Sequence, residues 1–284
     1  MIAQTMRIPA IILASVWCLT VISGSSASSV NAQQPVSDRL PILLIHGYGE
    51  NSNIWDSWID WLSGDHFDNT TSKVYLISFP NDDECGSAKQ HADDLRNIVN
   101  RILNETHSDK VNIVAHSKGG LDARSYIADN DKVANLIMIG TPNQGTTASI
   151  PAAFGWDLLC PSGSKGLKDL LPYSDASQSV DRPQRTNYYT IAGYYSPLPY
   201  PNCPDPIPPY LPFYGNCFLG SDNDLLVTVG SAQCSLDYCY NPLEEFPYDH
   251  IDLLTHKDVY EKVLPILSCG RVACGPTGGT SSFS

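Results

Sequence analysis

The apolar residues of this chain fall into two alternating kinds of segment. Short runs rich in apolar residues, typical of strands buried on both faces of a sheet, cover residues 40–45, 73–79, 111–115, 133–139 and 187–192. Segments with apolar residues at every third or fourth position, which predict helices, cover residues 87–103, 119–128 and 258–267. The alternation predicts an α/β fold in which a mostly parallel sheet is covered by helices on both faces.

The N-terminal segment has the order of a secretory signal. Arg7 precedes an apolar run of 15 residues, 8–22, and a stretch of small polar residues that ends at Ala32. This order predicts a signal peptide over 1–32, removed on export, and a single secreted domain over 33–284. The apolar run is shorter than the roughly 20 residues that span a bilayer. We therefore expect no stable membrane span, and an uncleaved anchor is the alternative.

The alternating pattern weakens in the second half of the chain. Eight prolines occur between residues 197 and 212, and so many prolines exclude a helix or a central strand. We interpret residues 146–220 as a cap or lid over the carboxyl edge of the sheet, where open parallel sheets bind ligands; a surface decoration is the alternative. The tail over 275–284 is rich in Gly, Ser and Thr and is predicted to be flexible.

The composition limits the class of partner. The chain of 284 residues is 42% hydrophobic, which suffices for a sizeable core. It carries 30 acidic against 17 basic residues and a net charge of −13. Nucleic acids and anionic membranes select for basic surfaces, so neither is expected as a partner, and we expect a monomer.

Cysteine usage also indicates export. Cys18 lies in the apolar run of the signal, and eight of the nine cysteines remain in the mature chain: Cys85, Cys160, Cys203, Cys217, Cys234, Cys239, Cys269 and Cys274. An even number in an exported chain predicts up to four disulfides. Pairing of sequence neighbours would join Cys203 to Cys217, Cys234 to Cys239, and Cys269 to Cys274. Two of these pairs have the C-x4-C spacing of zinc sites, but no histidine lies at a ligand spacing from them. Zinc is therefore a minor alternative.

The segment that carries the main chemical signal is Ala115-His-Ser117-Lys-Gly119, which joins a predicted strand to a predicted helix. A serine on so sharp a turn takes a strained backbone conformation, and bulky residues two positions before or after it would collide. Here those positions hold Ala and Gly. The helix N-terminus would also favour a developing oxyanion. The pattern predicts that Ser117 is a nucleophile; a serine that caps the helix is the alternative.

An oxyanion hole needs a second backbone N–H, from the loop after an earlier strand. The loop at 46–49, His-Gly-Tyr-Gly, follows the first strand and has glycines where the backbone must approach a substrate. We predict the backbone N–H groups of Tyr48 and Lys118 as the two donors. His46 is interpreted as a support of its own loop, because the general base is expected later in the chain.

Both the acid and the general base are expected after the serine in the chain. The order is Ser first, then the acid, then His. His250 precedes the last predicted helix and can reach back to the serine, whereas His256 lies at the start of that helix. Asp222 and Asp224 both lie ahead of an apolar run and both suit the acid, which fixes the imidazole tautomer and stabilises its charged form. A fragment of a calcium loop is a minor alternative for Asp-Asn-Asp.

Several of these segments resemble those of a known protein family. Residues 111–146, with Ala-His-Ser-Lys-Gly-Gly-Leu-Asp-Ala-Arg and Ile-Gly-Thr-Pro-Asn-Gln-Gly-Thr, resemble the secreted true lipases of bacteria and related α/β-hydrolase esterases. The loop at 46–49 and the stretch 167–174 are also similar to that family. Residues 223–227 resemble the family's Asn-Asp-Gly-Leu-Val around the triad acid, which favours Asp224. Here Leu225 replaces the glycine, and the cysteines outnumber those usual in these lipases.

The resemblance implies the α/β-hydrolase fold and a triad of Ser117, Asp224 and His250. We expect an exported serine hydrolase that cleaves carboxylic esters of lipids through an acyl-enzyme, as a triacylglycerol lipase or an esterase, with no cofactor. Its partner would be a small ester or lipid, in solution or at an oil–water interface. A thioesterase, a polyester depolymerase or an acyltransferase would need the same residues, because pocket shape and water access separate them. A non-catalytic binding paralogue is the remaining alternative.

Overall fold

The computed structural model describes residues 39–67, 73–77, 79, 85–146, 160, 164–179, 181–182, 184–195 and 222–269. Several features predicted from the sequence lie outside these residues: the signal peptide at 1–32, the proline-rich run at 197–212, the tail at 275–284, Cys203, Cys217 and Cys274. Much of the predicted cap region lies outside them as well. The described residues contain the sheet, its covering helices and the predicted catalytic residues.

Strands and helices alternate along the described part of the chain. The strands are β1 (Ile42–Ile45), β2 (Val74–Leu76), β3 (Val111–His116), β4 (Val133–Ile139), β5 (Asn187–Gly193) and β6 (Asn241–Phe246). After a 3-10 turn at Ser52–Trp55, the helices are α1 (Asp56–Gly64), α2 (Ala88–Thr106), α3 (Lys118–Ile127), α4 (Lys165–Asp169), α5 (Val229–Gln233), α6 (Asp252–Thr255) and α7 (Lys257–Ser268). All neighbouring strands are parallel, in the order β2-β1-β3-β4-β5-β6.

Apolar side chains cover the central strands on both faces of the sheet. Alternate residues of a strand point to opposite faces, so Leu43 and Ile45 pack in one cluster with residues of α2 and α3. Ile42 and Leu44 pack in a second cluster with residues of α1 and α7. All four side chains are fully buried. The predicted α/β class, a mostly parallel sheet with helices on both faces, is confirmed.

The strand order creates a crevice at the carboxyl edge of the sheet. From β1 the chain continues to β2 on one side, whereas β3 lies on the other side of β1 and leads on to β4. Connections that diverge in this way leave room between neighbouring loops, which is where open α/β sheets bind ligands. Ile45 of β1 pairs with Ala115 of β3, so the loop at 46–49 and Ser117 leave the sheet side by side.

One strand was not predicted from the sequence. In β6 Phe246 is buried, but the other residues are exposed or half-buried, and Pro242 is the second residue of the strand. Because β6 pairs only with β5 and forms the edge of the described sheet, it needs neither a continuous apolar run nor a full set of backbone donors. An edge strand of this kind therefore gives almost no signal in the sequence.

Two disulfides lie within the described residues. Cys234 is bonded to Cys239, which confirms one of the predicted neighbour pairs. Cys85 is bonded to Cys160, 75 residues further along the chain, a pairing that neighbour matching did not propose. No helix among the described residues is long and apolar enough to cross a lipid bilayer. In the same residues there is no group of three or more His, Cys, Asp or Glu side chains that could hold a metal ion.

Candidate active site

Ser117 occupies a strained turn between β3 and α3. Its φ of 51° and ψ of −128° lie in a region that residues other than glycine rarely adopt. Although Ser117 is at the N-cap position of α3, its side chain makes no capping hydrogen bond. A Cβ added to Gly119 would lie 2.5 Å from the carbonyl oxygen of His46, so the residue two positions after the serine has to be glycine. The hydroxyl is thus held on a sharp turn without serving the helix.

His250 and Asp224 form a buried pair at the same edge of the sheet. Asp224 Oδ2 lies 2.7 Å from His250 Nδ1, and both residues are only 1% exposed. The backbone N–H of His250 also donates to the carbonyl oxygen of Asp224, at 2.9 Å. The other carboxylate oxygen of Asp224 accepts the N–H groups of Leu226 and Val227. Asp222, the sequence alternative, is exposed to solvent. The structure thus brings Asp224 rather than Asp222 to His250.

Glycines allow this pair to approach the ends of the strands. Gly140, directly after β4, has a φ of 58°, and a Cβ there would lie 3.2 Å from both Asp224 Oδ2 and His250 Nδ1. Gly193, the last residue of β5, would place a Cβ 2.8 Å from the Cβ of Asp224. Side chains at these positions would push the pair away from the sheet. The two glycines therefore help to hold His250 and Asp224 beside the end of β3.

The second ring nitrogen of His250, Nε2, makes no hydrogen bond to the described residues. His250 Nε2 is buried and has no hydrogen-bond partner among the described residues, so no hydrogen bond joins it to the hydroxyl of Ser117. The His250 ring lies 4.6 Å, centroid to centroid, from the ring of His116, which directly precedes Ser117. The structure thus brings the His250 ring beside the residue that precedes Ser117, with no hydrogen bond between the imidazole and the serine hydroxyl.

The turn that presents Asp224, residues 223–227, carries the departure from the lipase motif. Leu225 has a φ of 79°, in the left-handed region that glycine adopts without steric cost. Its N–H donates to Asn223 Oδ1 at 2.9 Å, and its side chain is 9% exposed. The backbone conformation that favours glycine in the family is therefore retained with leucine in this chain.

Electrostatic interactions around His250 favour its protonated form. Burial lowers the pKa of the His250 imidazole, but the charge of Asp224 and its hydrogen bond raise it, and Glu50 and Asp249 act in the same direction. The net effect is a pKa raised above the ordinary value of 6.5. A histidine with this environment can accept a proton readily when a neighbouring hydroxyl loses one.

The predicted oxyanion donors lie beside Ser117, and their side chains are directed elsewhere. A Cβ added to Gly47, the neighbour of Tyr48, would lie 2.8 Å from the Cβ of Ser117. The hydroxyl of Tyr48 contacts Ser164 Oγ at 2.6 Å. Lys118 is 1% exposed and its ammonium group donates to Asp122 Oδ1 at 2.5 Å. The backbone N–H groups of Tyr48 and Lys118 remain the predicted donors.

The other histidines considered from the sequence lie outside this cluster. His46 Nδ1 is 3.0 Å from the carbonyl oxygen of Gly47, in keeping with a role in its own loop. The ring of His256 stacks on that of Tyr248, with centroids 3.8 Å apart. Sequence reasoning missed one group that does belong to the cluster, the pair Glu50 and His116, whose side chains are 3.0 Å apart. The signal in the sequence was the position of these two residues: Glu50 directly follows the glycine loop, and His116 directly precedes Ser117.

Comparisons with known proteins show what the chain is similar to. The family model described as palmitoyl protein thioesterase matches residues 41–198, more than half of the chain. A triacylglycerol lipase of Burkholderia plantarii is 29% identical over 126 residues, which are 43% of this chain and 35% of the lipase. A triacylglycerol lipase of Pseudarthrobacter phenanthrenivorans is 30% identical over 112 residues, 38% of this chain and 34% of that lipase. The chain thus spans about a third of the length of each relative.

A solved structure shows the same fold. The lipase BlEst2 of Bacillus licheniformis, in its mature form, superposes with a TM-score of 0.60 at 21% identity, covering 84% of this chain and 96% of that one. The resemblance to lipases and esterases of the α/β-hydrolase superfamily is therefore confirmed. By its match to the family model and by its sheet topology, the chain belongs to the palmitoyl protein thioesterase family and has the α/β-hydrolase fold.

Proposed function

We propose that the chain is an exported serine hydrolase that cleaves carboxylic esters of lipids through an acyl-enzyme intermediate. The observation that carries the proposal is the buried His250–Asp224 pair, whose imidazole ring lies against that of His116, the residue before the strained turn of Ser117, and whose Nε2 has no hydrogen-bond partner among the described residues. The similarity to two triacylglycerol lipases supports an acyl ester as the substrate class.

In the proposed reaction His250 Nε2 takes the hydroxyl proton of Ser117 while Oγ bonds to the ester carbonyl carbon. Asp224 holds Nδ1–H and stabilises the imidazolium that forms. His250 then gives the proton to the departing alcohol oxygen, and the acyl group remains on Ser117. A water molecule, deprotonated by the same nitrogen, releases the acid. The hydrogen bond from Ser117 to Nε2 would form in the substrate complex, because catalytic hydrogen bonds often tighten only there.

The negative charge that develops on the carbonyl oxygen needs donors that are already in place. We propose the backbone N–H groups of Tyr48 and Lys118, because the loop after β1 and the first residue of α3 flank Ser117. Donors of this type lower the barrier by about 3–4 kcal/mol each in acyl transfer. Nucleophile, base and donors are all protein groups, so the proposed chemistry needs no metal or organic cofactor.

Export is supported by two independent features. The order of basic, apolar and small residues over 1–32 is that of a signal peptide. The two disulfides, Cys85–Cys160 and Cys234–Cys239, are typical of an oxidising compartment. N-terminal sequencing of the protein from the culture medium should give a start at Gln33; a chain that retains Met1 would contradict export by cleavage.

Hydrolysis of thioesters is the second candidate function, favoured by the palmitoyl protein thioesterase family model over residues 41–198. A thiolate leaves more readily than an alkoxide, so a thioester makes a weaker demand on His250 as the acid that protonates the leaving group. Oxygen esters and thioesters with the same acyl chain and matched alcohol and thiol separate the two functions. A higher kcat/KM for the oxygen ester supports the esterase, and a higher value for the thioester supports the alternative.

The test of the nucleophile is the replacement of Ser117 by alanine. We expect hydrolysis of a p-nitrophenyl acyl ester to fall by at least about a thousandfold, with an unchanged circular dichroism spectrum. Ser125→Ala is the matched control, because Ser125 also lies at α3 and its hydroxyl makes a 3.1 Å hydrogen bond with Ser179 Oγ, away from His250 and Asp224. Retention of more than about a thousandth of the activity by a folded Ser117→Ala protein would refute the assignment.

A further inference from the structure

A second buried carboxylate lies beneath the nucleophile turn. Glu50, in the loop after β1, is 8% exposed. Its Oε2 accepts the backbone N–H of Gly47 at 2.6 Å and lies 3.0 Å from Nδ1 of His116, which is completely buried. A Cβ placed on Gly47 would be 2.7 Å from this oxygen and 2.8 Å from the Cβ of Ser117. The carboxylate and the serine are therefore close neighbours.

The two contacts of the His116 ring indicate where its protons are. His116 Nε2 lies 2.9 Å from the backbone carbonyl oxygen of His250. A carbonyl oxygen can only accept, so Nε2 must carry a hydrogen. On the other side, Glu50 Oε2 already accepts the N–H of Gly47, and an ionised carboxylate can only accept as well. If Glu50 is ionised, Nδ1 carries a hydrogen too, and the His116 side chain is then an imidazolium.

The other charge states fit the contacts less well. A neutral His116 beside an ionised Glu50 would turn a lone pair toward either the carboxylate or the His250 carbonyl. A neutral Glu50 would place its proton on an oxygen that is also the acceptor for Gly47. Burial raises the pKa of the Glu50 carboxyl, but the charge and hydrogen bond of His116, with further help from His250 and Gly47, lower it more, so the net pKa is lowered. The direction of this shift favours an ionised Glu50.

We propose that Glu50 and His116 form a permanent carboxylate–imidazolium pair that positions the catalytic groups on both sides of Ser117. Through Nε2–H, His116 holds the carbonyl oxygen of His250, and through Oε2, Glu50 holds Gly47 of the predicted oxyanion loop. Both are positioning residues, and this role rests on the function proposed above. The pair thus links the loop after β1 to the loop before α6.

The charge balance of the pair suits a site that develops negative charge. An isolated carboxylate so close to Ser117 would oppose the oxyanion of the tetrahedral intermediate. The positive charge on His116 offsets it, so the pair holds the loop without a net charge. The groups that face the pair are His250 and, behind it, Asp224 and Asp249.

A direct test measures the protonation of His116 in the wild-type protein, independent of any activity. In 15N-labelled protein, assigned by comparison with a His116→Gln variant, we expect both ring nitrogens of His116 to carry protons from pH 6 to pH 8. A ring with a single proton anywhere in that range would overturn the proposal. Because the measurement uses no substrate, it stands whether or not Ser117→Ala abolishes hydrolysis.

A kinetic test uses Glu50→Gln, which keeps the shape of the side chain. In the variant, the amide oxygen can accept the N–H of Gly47. A neutral His116 that donates through Nε2 to His250 then turns an unprotonated Nδ1 toward that oxygen, so one of the three hydrogen bonds, to Gly47, His116 or His250, is lost. We expect kcat at pH 8 to fall about 10- to 100-fold with little change in KM. The deficit should shrink toward pH 6, because a protonated His116 can donate to the amide oxygen.

Glu105→Gln is the control for the kinetic test. Glu105 is exposed on α2, so this substitution removes the same charge at the surface. Its kcat should equal that of the wild type at every pH. A constant ratio of Glu50→Gln to wild type between pH 6 and pH 8, or an unchanged kcat at pH 8, would overturn the positioning role. If Glu50→Gln does not fold, the nitrogen titration of the wild type decides alone.

Discussion

Two buried histidine–carboxylate pairs lie near the start of α3. In one, His250 Nδ1 is 2.7 Å from Asp224 Oδ2; in the other, His91 Nδ1 is 2.8 Å from Asp122 Oδ2. All four side chains are at most 2% exposed. Distance and burial therefore do not distinguish the two pairs.

The difference lies in the third group of each network. Asp122 also receives the ammonium group of Lys118 at 2.5 Å, and the His91 ring stacks on Phe79 with centroids 3.6 Å apart. Burial raises the pKa of the Asp122 carboxyl, but Lys118 and His91 lower it more. This carboxylate has a permanent cation as its partner.

Asp224 has no such cation. Within the described residues its one ion-pair partner is His250, whose Nε2 is open. Within the part of the chain that the structure describes, the ion-pair partner of Asp224 becomes positively charged when His250 takes a proton, which is the step that the proposed reaction requires. The comparison teaches that a buried His–Asp pair does not by itself indicate catalysis. An open second nitrogen beside a nucleophile, with the carboxylate otherwise uncompensated, is the more specific feature.

The largest expected effect separates the two carboxylates. In Asp224→Asn the amide must turn its NH2 group toward either His250 Nδ1–H or the N–H groups of Leu226 and Val227, so it misaligns the imidazole. We expect kcat/KM to fall by about 10⁴-fold, with a smaller loss of stability. Steady-state hydrolysis of an acyl ester and urea unfolding measure the two quantities.

Asp122→Asn should show the opposite pattern. It leaves the ammonium group of Lys118 buried without its carboxylate, and breaking such a pair costs about 3–5 kcal/mol of unfolding free energy. We expect kcat/KM of the folded protein to change by less than about tenfold, because Asp122 takes no part in the proposed proton transfer. If both variants lost activity to the same extent, the distinction between the pairs would be wrong.

The pH dependence of activity should follow His250 alone. The imidazole must be neutral to act as a base, and its pKa is raised above 6.5. We therefore expect kcat/KM to decline as the pH falls through a value above 6.5. In His91→Gln this acidic limb should stay in place. An acidic limb below 6.5 in the wild type, or one that moves in His91→Gln, would contradict the assignment.

The raised pKa of His250 also makes the stability of the protein depend on pH. Because the pKa of His250 is higher in the folded than in the unfolded state, folding favours the protonated imidazole. Its contribution to stability is complete below the unfolded pKa of about 6.5 and is lost as the pH rises through the folded pKa. Activity and this part of the stability therefore change in opposite directions with pH.

The smallest expected effect concerns the turn that presents Asp224. Leu225 and Leu226 are both buried, but only Leu225 has a positive φ. Glycine at 225 relieves about 1–2 kcal/mol of backbone strain that glycine at 226 does not. Leu225→Gly should therefore destabilise the protein less than Leu226→Gly by about that amount, measured by urea unfolding. Equal losses would show that the turn is not strained.

Much of the fold and part of the site could be predicted from the sequence, because the signals are local. The apolar runs of β3 and β4 and the serine between β3 and α3 lie within short stretches, where period and turn chemistry are visible. Asp224 could not be chosen over Asp222 from residue types alone, and the resemblance to the lipase motif decided it.

The remainder depends on contacts between distant segments. Glu50, His116 and His250 are far apart in the chain. The positions of Glu50 and His116 beside the glycine loop and the serine do not show which partners, 66 and 134 residues away, the His116 ring contacts. The bond between Cys85 and Cys160 spans 75 residues in the same way. The edge strand β6 gives no hydrophobic period, because Phe246 is its one buried residue.

The central claim, that His250 rather than His91 activates Ser117, is tested most directly by covalent labelling. A fluorophosphonate probe should attach to Ser117, located by mass spectrometry, in the wild type and in His91→Gln at similar rates. Labelling should be absent in Ser117→Ala and at least about a hundredfold slower in folded His250→Gln. Labelling at another residue, or equal rates in His250→Gln and the wild type, would contradict the account.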